Sequence, residues 1–235
     1  MTHVAHPYIQ RIGINRGWRS RWFTTDPKQV REYIRVDAQI RKFLGTRLKG
    51  MSVDAIEIER DQKSVRIIIK TARPGLVIGR SGEGATKLKK EIDMLFRKAK
   101  LTSKPDIKLD IEEVRSSETS ASIVGQMIAE GLEKRMTFRR VMKQTVEKVI
   151  ANRDVQGVRI ILSGRLGGTD MARKEEIKKG RIPLQTLRAD IDFARVTARL
   201  PYGAIGIKVW IYRGDVFADR TAGQTTDTPT NHSNR

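Results

Sequence analysis

The segment Val77-Ile78-Gly79-Arg80-Ser81-Gly82 restricts the middle of this chain to few backbones. It follows the apolar, strand-like run Val65-Arg66-Ile67-Ile68-Ile69-Lys70 and leads, from Glu83, into a lysine-bearing helix pattern. Two glycines around two short or cationic residues let the chain turn through angles closed to other residues, and let a nucleic-acid backbone approach main-chain N–H groups. The dipole of the following helix favours a phosphate at the same place. A tight turn without a ligand is the rival reading. Nucleotide loops fit less well, because Ala85-Thr86 stands where a Walker loop needs Lys-Ser/Thr, and the dinucleotide glycine spacing is not met after Gly79 or Gly82.

Charge favours the nucleic-acid reading. Forty-seven Lys+Arg face 27 Asp+Glu in 235 residues, a formal charge of +20. Such an excess binds polyanions by releasing their condensed counterions. An anionic membrane would attract it too, yet no apolar stretch reaches the length of a spanning helix. With 38% hydrophobic residues the chain has material for one or two ordinary cores. There is no cysteine, which excludes disulfides and thiolate metal sites, and no signal-peptide core is apparent, so a cytoplasmic location is expected.

Four regions follow from the patterning. Residues 1–25 contain no Asp or Glu, and they interleave Arg11, Arg16, Arg19 and Arg21 with Tyr8, Trp18, Trp22 and Phe23. Guanidinium groups beside aromatic faces suit phosphates and unstacked bases, although a basic segment packed on its own domain has the same composition. Residues 26–115 form a first domain with a core at about 39–114. Asp26-Pro27 caps a helix through Val30, Ile34, Ile40 and Leu44 towards Leu48. Val53–Glu59 alternates as a strand, with Val53, Ala55 and Glu57 on one face and Asp54, Ile56 and Ile58 on the other. Residues 60–63 turn into a second strand at 64–70. After the glycine loop, Leu88, Ile92, Leu95 and Phe96 mark one helix face, and Ile107, Leu109 and Ile111 a third strand. Residues 116–216 form a second domain. Ser117 is expected to cap a helix through Leu132, a second helix runs from about Phe138 to Ile150, and strands follow at 158–162, 191–200 and 205–212. Residues 217–235 read as a disordered polar tail. The class is α+β.

Two further basic constellations stand out. At about 100° per residue, with Arg139 as zero, Lys143 falls near 40° and Arg140 near 100°, while Val141, Met142, Thr145, Val146 and Val149 fill roughly 200° to 340°. One helix face is cationic and its opposite is buried; a merely solvated face would show the same pattern. Ser163-Gly164-Arg165-Leu166-Gly167-Gly168 leaves a strand and enters a segment with Arg173, Lys174, Lys178, Lys179 and Arg181. It reads either as a long hairpin turn or as an RNA-backbone contact through Arg165 and the later cations.

Catalysis is poorly supported. His3, His6 and His232 lie near the termini with no paired metal spacing, and adjacent Glu112-Glu113 and Glu175-Glu176 point apart. Asp190 and Asp192 share a strand face, which leaves a metal-dependent nuclease as a remote alternative. No catalytic residue, metal or cofactor is expected.

Taken together, these motifs resemble the bacterial-type small-subunit ribosomal protein three family. The resemblance rests on His6-Pro7 with Arg11-Ile12-Gly13-Ile14, Thr71-Ala72-Arg73-Pro74-Gly75 before Val77-Ile78-Gly79, and Phe138-Arg139-Arg140-Val141-Met142-Lys143. It continues through residues 163–168, 183–192 and 202–210. It implies a type II KH domain, a three-stranded sheet with helices on one face, followed by an α/β domain of two helices on a mostly antiparallel sheet. It also implies a non-enzymatic component of the small-subunit head, in the cytoplasm. Small-subunit rRNA, mRNA and neighbouring small-subunit proteins ten and fourteen would be its partners, and no free homo-oligomer is expected. Gly79, Arg80, Ser81 and Gly82 would form the KH loop. Arg139, Arg140 and Lys143 match the residues this family presents to mRNA where it enters the subunit and is unwound. Arg11, Arg16, Arg19, Arg21, Arg165, Arg173, Lys174, Lys178 and Lys179 are candidate rRNA contacts. A KH protein acting outside the ribosome is the alternative. The sequence departs from the family where Tyr8-Ile9 replaces a usual glycine, and around residues 93–106, which look slightly longer.

Overall fold

A computed structural model describes residues 6–61, 64–98 and 106–217. The expected tail, apart from Phe217, and most of the expected insertion before residue 106 lie outside the described residues, as do His3 and His232.

The first unit grows from α2 (Pro27–Arg47), which follows a one-turn α1 (Pro7–Gln10) and a two-residue strand β1 (Ser20–Arg21). Asp26 caps α2 as expected, its carboxylate accepting from the Lys28 N–H at 2.9 Å, with Pro27 in the first turn. Val36, Ile40 and Leu44 make the buried stripe. Next come β2 (Val53–Arg60) and β3 (Ser64–Thr71), paired antiparallel. A short α3 (Pro74–Ile78) and a long α4 (Glu83–Lys98) cross over to β4 (Asp106–Glu113), parallel to β3. Ile58, Val65, Ile67, Ile69 and Ile107 of the sheet close on Ile40 and Leu44 of α2 and on Leu88, Ile92 and Phe96 of α4. One face of the sheet is thus covered by helices.

Two details differ from expectation. A register shift between Val53 and Ala55 turns Val53 to the same core as Ile56 and Ile58, so strict alternation fails at the start of β2. The sheet also has four strands, in the order β1-β2-β3-β4, because the N-terminal segment adds β1 parallel to β2.

In the second unit α5 (Ala121–Glu133) and α6 (Phe138–Ala151) precede β5 (Gly157–Gly164), β6 (Arg173–Gly180), β7 (Ala189–Leu200) and β8 (Gly203–Asp215). The sheet is antiparallel throughout, in the order β6-β5-β8-β7. Val124, Ile128 and Leu132 of α5 and Val141, Met142 and Val146 of α6 pack on Val158, Ile160, Leu162, Ile207 and Val209. The cap of α5 is Ser120, not Ser117, which lies in a preceding 3-10 turn. Ser120 accepts from the Ile123 N–H at 3.4 Å and donates its hydroxyl to Asp54 of the first unit. The same seam holds Ser122 and Gln126, both donating to the Val53 carbonyl, at 3.0 and 2.7 Å.

The opposite face of this second sheet carries Ile161, Ile191, Phe193, Trp210 and Tyr212 as a smaller apolar cluster. The N-terminal segment lies against it: the His6 ring meets Phe193 edge-on at 4.7 Å, and Pro7 is buried. Further on, Ser20 and Trp22 both donate to the buried carboxylate of Asp37 in α2, at 3.1 Å. Residues 6–22 are therefore a strap tying the two units together. Among the described residues no helix is long and apolar enough to cross a membrane.

Candidate nucleic-acid interface

Helix α6 sorts its residues as the angular reading requires. Val141, Met142, Thr145, Val146 and Val149 are buried, while Arg139, Arg140 and Lys143 are exposed. The first turn carries no acidic residue, and among the described residues no carboxylate pairs with any of the three cations. Their charge is left for an external anion. Phe138 opens the helix, and the Arg139 guanidinium stands 5.6 Å from its ring centre. A second guanidinium, of Arg173 on β6, stands at 5.6 Å from the same centre. Phe138 thereby fixes two cations from different elements, a role the sequence pattern did not single out.

The glycine loop is a turn between two helices. The sequence reading passed from β3 straight to the loop and missed α3. Gly79 has φ +73° and Gly82 φ +80°, and Ser81 between them also takes a positive φ of 51°. Gly79, Arg80 and Ser81 are exposed. A Cβ on Gly84 would lie 2.6 Å from the Val77 carbonyl oxygen and 2.8 Å from that of Ile78, so this third glycine is what lets α3 and α4 close around the loop. Glu83 places a carboxylate in the first turn of α4, where it competes with an incoming phosphate for the dipole; Lys87 pairs with it at 3.5 Å.

Residues 39–119 match the KH domain, and residues 128–211 match the model described as ribosomal protein S3, C-terminal domain. Full-length comparison extends this. The small ribosomal subunit protein uS3 of Caldicellulosiruptor bescii is 45% identical over 222 residues, covering 94% of this chain and 96% of that protein. Its counterpart in Endomicrobium trichonymphae is 44% identical over 92% of this chain and 90% of its own length. That of Gluconobacter oxydans is 41% identical over 93% and 92%. The chain belongs to the small ribosomal subunit protein uS3 family. The relatives are named for a ribosomal component and not for an enzyme.

Several candidate contacts of this family member are committed elsewhere. Arg11 is fully buried. Its Nε donates to the Ala189 carbonyl at 2.7 Å, Nη1 to that of Pro7 at 2.9 Å, and Nη2 to those of Leu184 and Thr186, both at 2.9 Å. Expecting it to meet rRNA was wrong: it is the clasp that holds the strap on the second sheet. Burial lowers its pKa, Asp190 opposing the shift, yet a guanidinium stays charged at any ordinary pH. Arg16 pairs with Asp190 at 2.7 Å, and Arg21 with Glu57 at 2.8 Å and Glu59 at 3.1 Å. Of the four only Arg19 stays exposed with no carboxylate partner among the described residues, its guanidinium 4.9 Å from the Tyr8 ring centre. Trp18 and Phe23 also point outward, whereas Trp22 packs edge-on against Tyr33. Packing accounts for most of the strap.

For Arg165 the hairpin reading prevails. Its guanidinium donates to the Thr169 carbonyl at 3.0 Å, the Tyr202 carbonyl at 3.1 Å and Asp170 at 2.9 Å, and so braces the β5–β6 turn. Arg173, Lys174, Lys178 and Lys179 are exposed, but they lie on β6, a strand that the sequence pattern does not show beyond a basic segment. Pleating divides them: Arg173 and Lys179 share a face with Ile177, which packs towards the helices, and Lys174 and Lys178 project to the other side. They are not one patch.

The nuclease reading loses its residues. Asp192 is buried, accepts from the Ala121 N–H at 2.8 Å and meets Arg213 at 3.3 Å; Asp190 belongs to Arg16. Both serve as internal anchors, and among the described residues no group of three or more potential metal ligands occurs. His6 accepts from the Tyr8 N–H at 3.2 Å and caps α1, which runs through the Tyr8-Ile9 position where the family pattern usually has glycine. Its pKa is lowered by burial, and further by Arg195 and Arg19.

Proposed function

We propose that this chain is an rRNA-binding protein of the cytoplasmic small ribosomal subunit, and that α6 lies along mRNA as it enters, holding the strand single. The carrying observation is the division of α6 into an anchored apolar face and the exposed, unpaired cations Arg139, Arg140 and Lys143. Cations fixed on a rigid helix hold phosphates without reading bases, which suits a site that any message must pass. Pairing between message strands is thereby disfavoured, with no bond hydrolysed by this chain.

The names of its relatives support membership of the small subunit. In this reading residues 26–115 act as the KH domain, presenting Gly79 to Gly82 to an RNA backbone, and residues 116–216 carry α6. Arg19 and the β6 lysines contact rRNA, and neighbouring small-subunit proteins ten and fourteen pack alongside. Sedimentation with small subunits tests the placement: a chain that never travels with them is not a subunit component. The triple variant Arg139→Ala, Arg140→Ala, Lys143→Ala should assemble normally yet slow translation through structured mRNA. Unchanged passage on hairpin templates would reject the role of α6.

A further inference from the structure

Cations alone hold phosphates; a strand kept single also exposes bases, which gain from a stacking surface. Such a surface lies next to α6. The turn between β5 and β6 packs Gly167 against Phe138, where a Cβ would come within 4.0 Å of the ring, and the next residue, Gly168, against Tyr202, where it would come within 3.9 Å. Both glycines have positive φ, +72° and +80°, a backbone that residues with a Cβ rarely adopt. Tyr202 comes from the β7–β8 turn, and Arg165 links the two turns by donating to the Tyr202 carbonyl. The tyrosine is 57% exposed, and its hydroxyl has no partner among the described residues. On the far side of the turn Arg173 and Arg139 flank Phe138, and among the described residues the only carboxylate paired with Arg173 is Glu175, at a weak 3.9 Å.

We propose that Tyr202 and Arg173 extend the α6 site into a strip for single-stranded RNA, Tyr202 stacking an unpaired base and Arg173 pairing with a phosphate one turn away from Arg139. This rests on the mRNA role of α6 and adds two residues from two hairpins that the helix pattern does not contain. Phe138 acts as a positioning residue, since its ring fixes both guanidinium groups. Double-stranded RNA offers no free base face, so the strip favours the unpaired state by the same logic as the cations.

The test uses assembled small subunits in which the chain carries Tyr202→p-benzoylphenylalanine, engaged with a labelled, unstructured mRNA, and parallel subunits with the same photoprobe at Lys143. Both probes should label mRNA on irradiation, and adding Arg173→Ala should lower the yield at position 202 several-fold while Arg173→Lys keeps most of it. If the Lys143 probe labels mRNA and the 202 probe labels only rRNA or protein, the strip is wrong and the role of α6 stands. If neither labels mRNA, the role of α6 falls and the strip with it. Should the 202 variant fail to enter subunits, a probe at Met171, two residues before Arg173 and 83% exposed, decides in the same way.

Discussion

Replacing Arg11 with lysine keeps the positive charge and most of the stem but removes the planar fork that reaches four carbonyls. Those carbonyls belong to Pro7, Leu184, Thr186 and Ala189, and the donors come from three different nitrogens at 2.7 to 2.9 Å. A single ammonium serves a carbonyl cluster from one point and cannot span this arrangement, so about two acceptors lose their partner. A buried acceptor left unpaired costs about 1–3 kcal/mol, which gives roughly 2–6 kcal/mol for Arg11→Lys and more for Arg11→Met. Urea unfolding of the full chain measures the loss, and hydrogen exchange locates it: amides of residues 186–190 should lose protection first, since they lie under the strap. The slope of log affinity against log salt for an rRNA fragment should stay unchanged while the chain is folded. An Arg11→Met variant within about 0.5 kcal/mol of wild type, with that slope shallower by about 0.9 because its charge is gone, would refute the clasp and return Arg11 to the phosphate contacts.

Other expectations follow from the same geometry. Arg80→Asp with Ser81→Asp places negative charge at the exposed turn and should weaken RNA binding by the isolated chain at least ten-fold at moderate salt; full affinity in a filter-binding assay would make the loop structural. Gly84→Ala drives a methyl group into the carbonyls of Val77 and Ile78, and should destabilise the first unit by about 2 kcal/mol, seen as a lower unfolding midpoint. His6 has a lowered pKa in the folded chain, so the unfolded state binds its proton first and stability is lost as pH falls below about 6.5. Protonation also removes the acceptor for the Tyr8 N–H. The strap should loosen in mild acid, as exchange of residues 8–12 will show, and His6→Asn should flatten that dependence.

How much of this was legible in the sequence depends on the range of the interaction. The two faces of α6 and the capped start of α2 follow from spacing within one helix, and both appear as read. β6 escaped because it is an edge strand whose one apolar side chain, the partly buried Ile177, gives no alternation to detect among charged neighbours. The choice of Ser120 over Ser117 was equally hidden: both are serines in suitable positions, and Asp54, 66 residues away, distinguishes them. Arg11 and Arg19 look alike in sequence, yet partners more than 170 residues downstream bury one of them, while the other stays outside. Charge composition announced a polyanion partner without saying which cations were free to meet it. For that the decisive fact is which carboxylates and carbonyls the fold has already brought to each guanidinium.

The central claim is that unpaired cations on α6 help keep incoming mRNA single-stranded. Its most direct test compares translocation rates on hairpin and unstructured mRNA for small subunits carrying the wild-type chain or the triple variant Arg139→Ala, Arg140→Ala, Lys143→Ala. Wild-type rates on unstructured mRNA together with a several-fold slowing on the hairpin are the predicted result. Equal slowing on both templates, or none on either, would contradict it.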